Sequence, residues 1–156
     1  MEQLRVESNQ EISRILLRGV PDRPGIAAEI FGELGSRGFN VEMVVTTGGT
    51  RGTADICLAV SRTQQEAVRQ ALEHGTGKIV AADVVVDNQV ALVSVVGPSL
   101  AKVPGVAGRA FKALSARGIN IDVISTSLVS VTCMIARDRA AEAVAALEGE
   151  FLRDHA

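Results

Sequence analysis

The chain repeats itself at a spacing of eighty residues. Residues 24–34 and 37–42 return as 104–114 and 117–122. Eight aligned positions are identical: Pro24 with Pro104, Gly25 with Gly105, Ala27 with Ala107, Phe31 with Phe111, Leu34 with Leu114, Arg37 with Arg117, Gly38 with Gly118 and Asn40 with Asn120. A chain of 156 residues therefore holds two copies of one unit about 80 residues long. A solenoid needs three or more shorter repeats, so two small domains of like architecture are expected instead.

The pattern within the first copy predicts its elements. Ser13 to Arg18 reads as a short strand that ends at Gly19. The loop Val20-Pro21-Asp22-Arg23 leads to Pro24, which suits a first helical turn because its missing N–H is not needed there. Ile26, Ala27, Ile30, Phe31 and Leu34 then fall at helical spacing as one apolar stripe. Gly38 supplies a left-handed stop. Val41 to Thr46 and Thr53 to Val60 read as a hairpin around the turn 48–52. Ser61 or Thr63 is expected to cap a helix through Leu72, with Ala67, Val68, Ala71 and Leu72 as its apolar face. Gly75 and Gly77 end that helix, and Ile79 to Val86 is the last strand. The order β-α-β-β-α-β is the ferredoxin-like split βαβ pattern.

The second copy reads as strand 90–96, helix 106–117, strands 120–125 and 129–136, and helix 139–151. The sequence then stops with no room for the sixth element. An orphan strand, Leu4-Arg5-Val6-Glu7, stands ahead of the first copy. An unfilled sheet edge leaves backbone groups unpaired, so residues 3–8 are expected to complete the second sheet. The predicted fold is α+β: one βαββαβ domain at 11–88, inserted in a second domain made of 3–8 and 89–152.

Charge and composition exclude several functions. Sixteen basic residues face eighteen acidic ones, and the aromatic residues are four Phe with no Tyr or Trp. A nucleic-acid partner is not expected, since neither a basic footprint nor stacking rings on strands are present. No apolar run approaches the ~18 residues of a spanning helix, and the N-terminus lacks a signal-peptide pattern, so a cytoplasmic protein without a membrane partner is expected. Cys57 and Cys133 each sit in an apolar stretch and read as two buried thiols rather than a disulfide. His74 and His155 have no partner at a metal-ligand spacing, and no serine lies in a nucleophile elbow. No catalytic residue, metal or cofactor is expected.

The informative places are the loops before the first helix of each copy. Gly25 and Gly105 allow close backbone approach. Free N–H groups at a helix start favour an anion such as an α-carboxylate. The Asn40 and Asn120 amides both donate and accept, as a ligand with an ammonium and a carboxylate requires.

The stretch from Leu17 to Ala27, with its Asp22-Arg23-Pro24-Gly25, resembles the start of the regulatory region of aspartate kinases. Gly118 to Ile121 and Val123 to Ser127 resemble its later part. The resemblance runs over about residues 3–152. It implies two ACT domains, small-molecule-binding modules of this fold, the first inserted in the second. It also implies a regulatory product, in some bacteria made separately as a β subunit. Met1, just ahead of the first strand, fits such a product or an excised piece. The family's Lys-Phe-Gly-Gly-type kinase opening is absent, so this chain alone is expected not to phosphorylate aspartate.

Carried onto matching positions, the resemblance implies an effector held by Asp22, Gly25, Ile26, Ala27 and Thr46 from one domain. Asn120 and Ile121 meet it from another, with Ser127 near the effector side chain. A second, pseudo-equivalent site uses Pro104, Gly105, Val106 and Ala107 with Asn40 and Val41. The implied partners are a free amino acid, a second copy in a homodimer and a catalytic aspartate kinase subunit. Leu128 and Ser130 stand where the family commonly has Glu and a basic residue, and Thr46 where Gln is usual. A buried lysine ammonium needs a paired charge, so losing the Glu weakens the case for lysine; Asp22 or Asp122 could still supply one, and threonine is favoured over lysine. The alternative is a free-standing double-ACT module that regulates another enzyme or a transcription factor.

Overall fold

The structure, a computed structural model, describes residues 4–48, 52–74, 83–98 and 100–152. It divides into two compact units, Glu11–Asn88 and Met1–Gln10 with Gln89–Ala156. The chain opens with β1 (Arg5–Asn9). The inserted unit follows as β2 (Ile12–Pro21), α1 (Ile26–Ser36), β3 (Val41–Gly48), β4 (Thr53–Ser61), α2 (Gln65–His74) and β5 (Asp83–Asp87). The remainder is β6 (Val90–Val96), α3 (Val106–Ala116), β7 (Val123–Thr126), β8 (Ser130–Ala136) and α4 (Ala140–Phe151).

Each unit is a four-stranded antiparallel sheet with two helices. The strand orders are β3-β4-β2-β5 and β1-β6-β8-β7. The orphan strand does complete the second sheet: β1 pairs antiparallel with β6, from Arg5 opposite Val96 to Asn9 opposite Leu92. It fills the place that β5 fills beside β2 in the first sheet.

The cores follow from the two periodicities. In the first unit β2 buries Ile15 and Leu17, and β4 buries Ile56, Leu58 and Val60, every second residue. Against them α1 sets Ile26, Ile30 and Leu34, four residues apart. In the second unit Val93 and Val95 of β6 and Val131, Cys133 and Ile135 of β8 meet Val106, Ala110 and Leu114 of α3. Leu147 and Phe151 of α4 close that core. Both first helices end alike. Gly38 and Gly118 have φ of 81° and 68°. Phe39 N–H donates to the Leu34 carbonyl at 3.0 Å, and Ile119 N–H to that of Leu114 at 3.1 Å. This is the Schellman closure that glycine permits.

Several local expectations are corrected. Gly19 does not end the first strand: β2 continues to Pro21 through a register shift between Leu17 and Val20. Gly19 takes φ 67°, and its N–H donates to Asp55 Oδ1 at 3.0 Å, so a bulge replaces the break. Pro24 lies before the helix, whose N-cap is Gly25. Ser61 caps nothing. Its hydroxyl meets that of Thr63 at 3.0 Å, and a 3-10 turn at Arg62–Gln64 precedes α2. Ala27 and Ala67 are exposed, outside the apolar stripes. Asn120 precedes β7 instead of opening it. Cys133 is buried but Cys57 only half-buried, and neither is in a disulfide. The expected helix stops at Gly75 and Gly77, the turn at 49–51, the start of the last strand at Ile79 and the tail histidine His155 lie outside the described residues.

Candidate effector site

The two helix starts have the same backbone and different surroundings. Gly25 and Gly105 are N-caps in the left-handed region, at φ 92° and 86°, and neither receives a side-chain cap. Their carbonyls accept the first helical bonds, from Glu29 and Arg109 N–H at 3.0 Å each. The N–H groups of residues 27 and 28, and of 107 and 108, precede any intrahelical acceptor and point out of the helix start. Ile26 and Val106 anchor the starts in the cores, while Ala27 is exposed and Ala107 half-buried.

Ahead of Gly25, Asp22 is exposed, and its N–H donates to the Gly52 carbonyl at 2.8 Å, which ties the end of β2 to the start of β4. Arg23 pairs with Glu29 through two bonds, 2.7 and 3.3 Å, across the first turn of α1. Hydrogen bonding to Glu29, and then its charge, raise the pKa of this guanidinium. Ahead of exposed Pro104 and Gly105 the second unit has a 3-10 turn, Leu100–Lys102. At an offset of eighty, Lys102 stands where the first unit has Asp22. The first helix start is therefore preceded by an Asp-Arg pair and the second by a lysine alone. Alignment of the repeats already contains that difference.

Thr46 is exposed on β3 and paired with Ile56. It lies toward the same end of the sheet as Asp22, two strands over and four residues short of it along β4, roughly 16 Å at the usual strand spacing and rise. Val41 begins β3 at the other end, with Asn40 just ahead of it, because Val41 pairs with Val60 while Gly48 pairs with Ala54. The whole of α1 separates them from Gly25, roughly 16 Å at 1.5 Å per residue. In the second unit α3 separates Gly105 from Asn120 in the same way. Neither unit alone brings a helix start to an asparagine.

Asn120 and Ile121 line an open pocket of about 430 Å³ with Phe111, Ser115, Gly118 and Ile119. Asn120 Nδ2 donates to Asp122 Oδ1 at 3.3 Å, and none of the six lining residues is ionisable. Ser127 stands apart. Its N–H donates to the Ser130 carbonyl at 2.8 Å, and its hydroxyl meets Ser130 Oγ at 2.9 Å. It is a residue of the β7–β8 turn, with β7, roughly 13 Å of strand, between it and Asn120.

Comparison with known proteins gives this pair of units a family. ACT domain models match residues 13–73 and 93–151. The chain is 39% identical over 151 residues to the aspartokinase of Helicobacter pylori, covering 97% of this chain and 36% of that protein. The solved regulatory subunit of aspartate kinase from Thermus thermophilus, in ligand-free form, is 31% identical with a TM-score of 0.85, over 94% of this chain and 96% of that one. The chain belongs to the aspartate kinase family, as its regulatory region of two ACT domains. A structure of aspartokinase alpha and beta subunits is also similar, with 32% identity, a TM-score of 0.86 and 97% of that chain covered. The chain spans about a third of the length of the aspartokinases it matches, the part that carries the ACT domains. No helix among the described residues is long and apolar enough to cross a membrane.

Proposed function

We propose that this chain is the effector-sensing part of an aspartate kinase, and that a free end-product amino acid, threonine ahead of lysine, is what it senses. The observation that carries this reading is the separation of each helix start from the asparagine of its own unit by a full helix. A ligand that needs both an anion-favouring helix start and an amide must take them from two ACT domains. In a homodimer, Asp22, Gly25, Ile26, Ala27 and Thr46 of one copy would face Asn120 and Ile121 of the other. Pro104, Gly105, Val106 and Ala107 with Asn40 and Val41 would make the second site. Ser127 is left to its turn. The ligand then acts as a cross-link that favours one placement of the domains. A differential affinity of about 1–3 kcal/mol between placements is enough to regulate an attached cytoplasmic kinase subunit.

Threonine is favoured because no described residue lining the pocket beside Asn120 is ionisable, and the nearby Asp122 carboxylate already accepts from Asn120 Nδ2. A homodimer is supported by exposed Val44 and Ile124 on the edge strands β3 and β7, at matching repeat positions. The test is calorimetric titration of the chain with L-threonine and with L-lysine. Threonine at about 100 times its dissociation constant should stabilise the chain by roughly 2.7 kcal/mol. Asp22→Ala and Asn120→Ala should each weaken binding without unfolding the chain, and together be less than additive. Silence for both amino acids at millimolar concentration refutes the reading.

A further inference from the structure

We propose that Arg139 is the positioning residue of the effector site at Asn120. The inference rests on the reading of Asn120 and Ile121 as effector-binding residues. Arg139 ends the 3-10 turn Arg137–Arg139 that leads into α4, and its guanidinium reaches back to the end of α3. Nη2 donates to the Arg117 carbonyl at 2.7 Å and Nη1 to the Gly118 carbonyl at 3.3 Å. Both carboxylate oxygens of Glu142 accept from Nη2, at 2.8 and 3.2 Å, and orient the group. A helix C-terminus offers carbonyls without intrahelical donors and favours a cation, so a planar fork that meets two successive carbonyls suits this place.

The clamp lies two residues before Asn120. The segment between them is fixed by Gly118 N–H to the Ser115 carbonyl, 2.9 Å, and by Ile119 N–H to the Leu114 carbonyl, 3.1 Å. Ile119 is buried, so the chain leaves the clamp through an anchored residue and presents Asn120 and Ile121 to the pocket. Order that exists before a ligand arrives need not be created on binding, and the affinity rises accordingly.

The first unit is an internal control. Its turn has the same two backbone bonds, Gly38 N–H to Gly35 and Phe39 N–H to Leu34, both 3.0 Å. The hairpin registers set Met43 opposite Ala59 and Val123 opposite Met134. Five residues beyond those partners stand Gln64 in the first unit and Arg139 in the second. Arg37 of the first turn is paired with Glu33 at 2.7 Å. Among the described residues a guanidinium closes only the turn that precedes Asn120.

The experiment uses the whole chain, the variants Arg139→Gln and Arg139→Lys, titration with L-threonine and L-lysine, and amide hydrogen exchange without ligand. Arg139→Gln recreates the residue of the first unit. It should weaken binding about tenfold, the size of effect expected for a lost charge-assisted hydrogen bond, and speed exchange at residues 118–121. Exchange in β6 and β8 should be unchanged. Arg139→Lys should recover part of the affinity, since an ammonium reaches one carbonyl but does not span two. Parental affinity in Arg139→Gln overturns the proposal while the effector reading stands. Faster exchange throughout the second unit makes the role merely structural and also overturns it. A parent chain that binds neither amino acid refutes the effector reading, and this inference falls with it.

Discussion

Alanine at two glycines of the same helix region should act in opposite directions, and the structure gives the sizes. Gly25 has φ +92°, and a Cβ built there meets nothing within 4 Å. The cost of Gly25→Ala is therefore backbone strain alone, about 1–2 kcal/mol for an L-residue held in the left-handed region. Gly32, inside α1, has ordinary helical dihedrals and equally open space for a Cβ. There alanine removes the entropic penalty of a mid-helix glycine and should stabilise by about 0.5–1 kcal/mol. The two variants should differ by roughly 1.5–3 kcal/mol. At an m-value of about 1.5 kcal/mol/M their urea midpoints separate by about 1.5 M. With no Tyr or Trp in the chain, helical circular dichroism is the suitable probe. Gly108→Ala, a matching change inside α3 with open space for the Cβ, should stabilise the second unit and controls for which unit is read. The reasoning fails if Gly25→Ala is as stable as the parent, or if Gly32→Ala is less stable.

Burial raises the Cys133 thiol to about 11, from an ordinary value near 9. The folded state thus holds this proton more tightly than the unfolded state. Its contribution is complete below about pH 9 and is lost as pH rises toward 11, so Cys133→Val should show a shallower decline of stability with pH over that window. At neutral pH, Cys133 should react with a maleimide only as fast as the fold opens. Leu114→Ala, at a fully buried position of α3, should cost about 2–5 kcal/mol in a denaturation midpoint, and a value below 1 kcal/mol would contradict the described core. Light scattering should give twice the chain mass of 16.3 kDa, and a monomer with and without threonine would contradict the homodimer.

The sequence by itself determined the repeat, the order of elements and the missing strand. These are local or additive signals. Ile26, Ile30 and Leu34 mark a helix face through a period set by backbone geometry, and Gly38 and Gly118 mark its end because few other residues take φ near +70°. The count of strands then required the N-terminal segment in the second sheet, since an unpaired edge is costly wherever it lies in the chain. The helix starts at Gly25 and Gly105 were visible for the same reason. What only the tertiary structure decided involves partners distant in sequence. Gly19 is carried through by a bulge because the Asp55 carboxylate, on the neighbouring strand, accepts its N–H. Ser127 is drawn into a turn by Ser130 and kept from Asn120 by the length of β7. Arg139 meets Arg117 and Gly118 across more than twenty residues, a contact that no periodicity encodes because it depends on where two helices are set on one sheet.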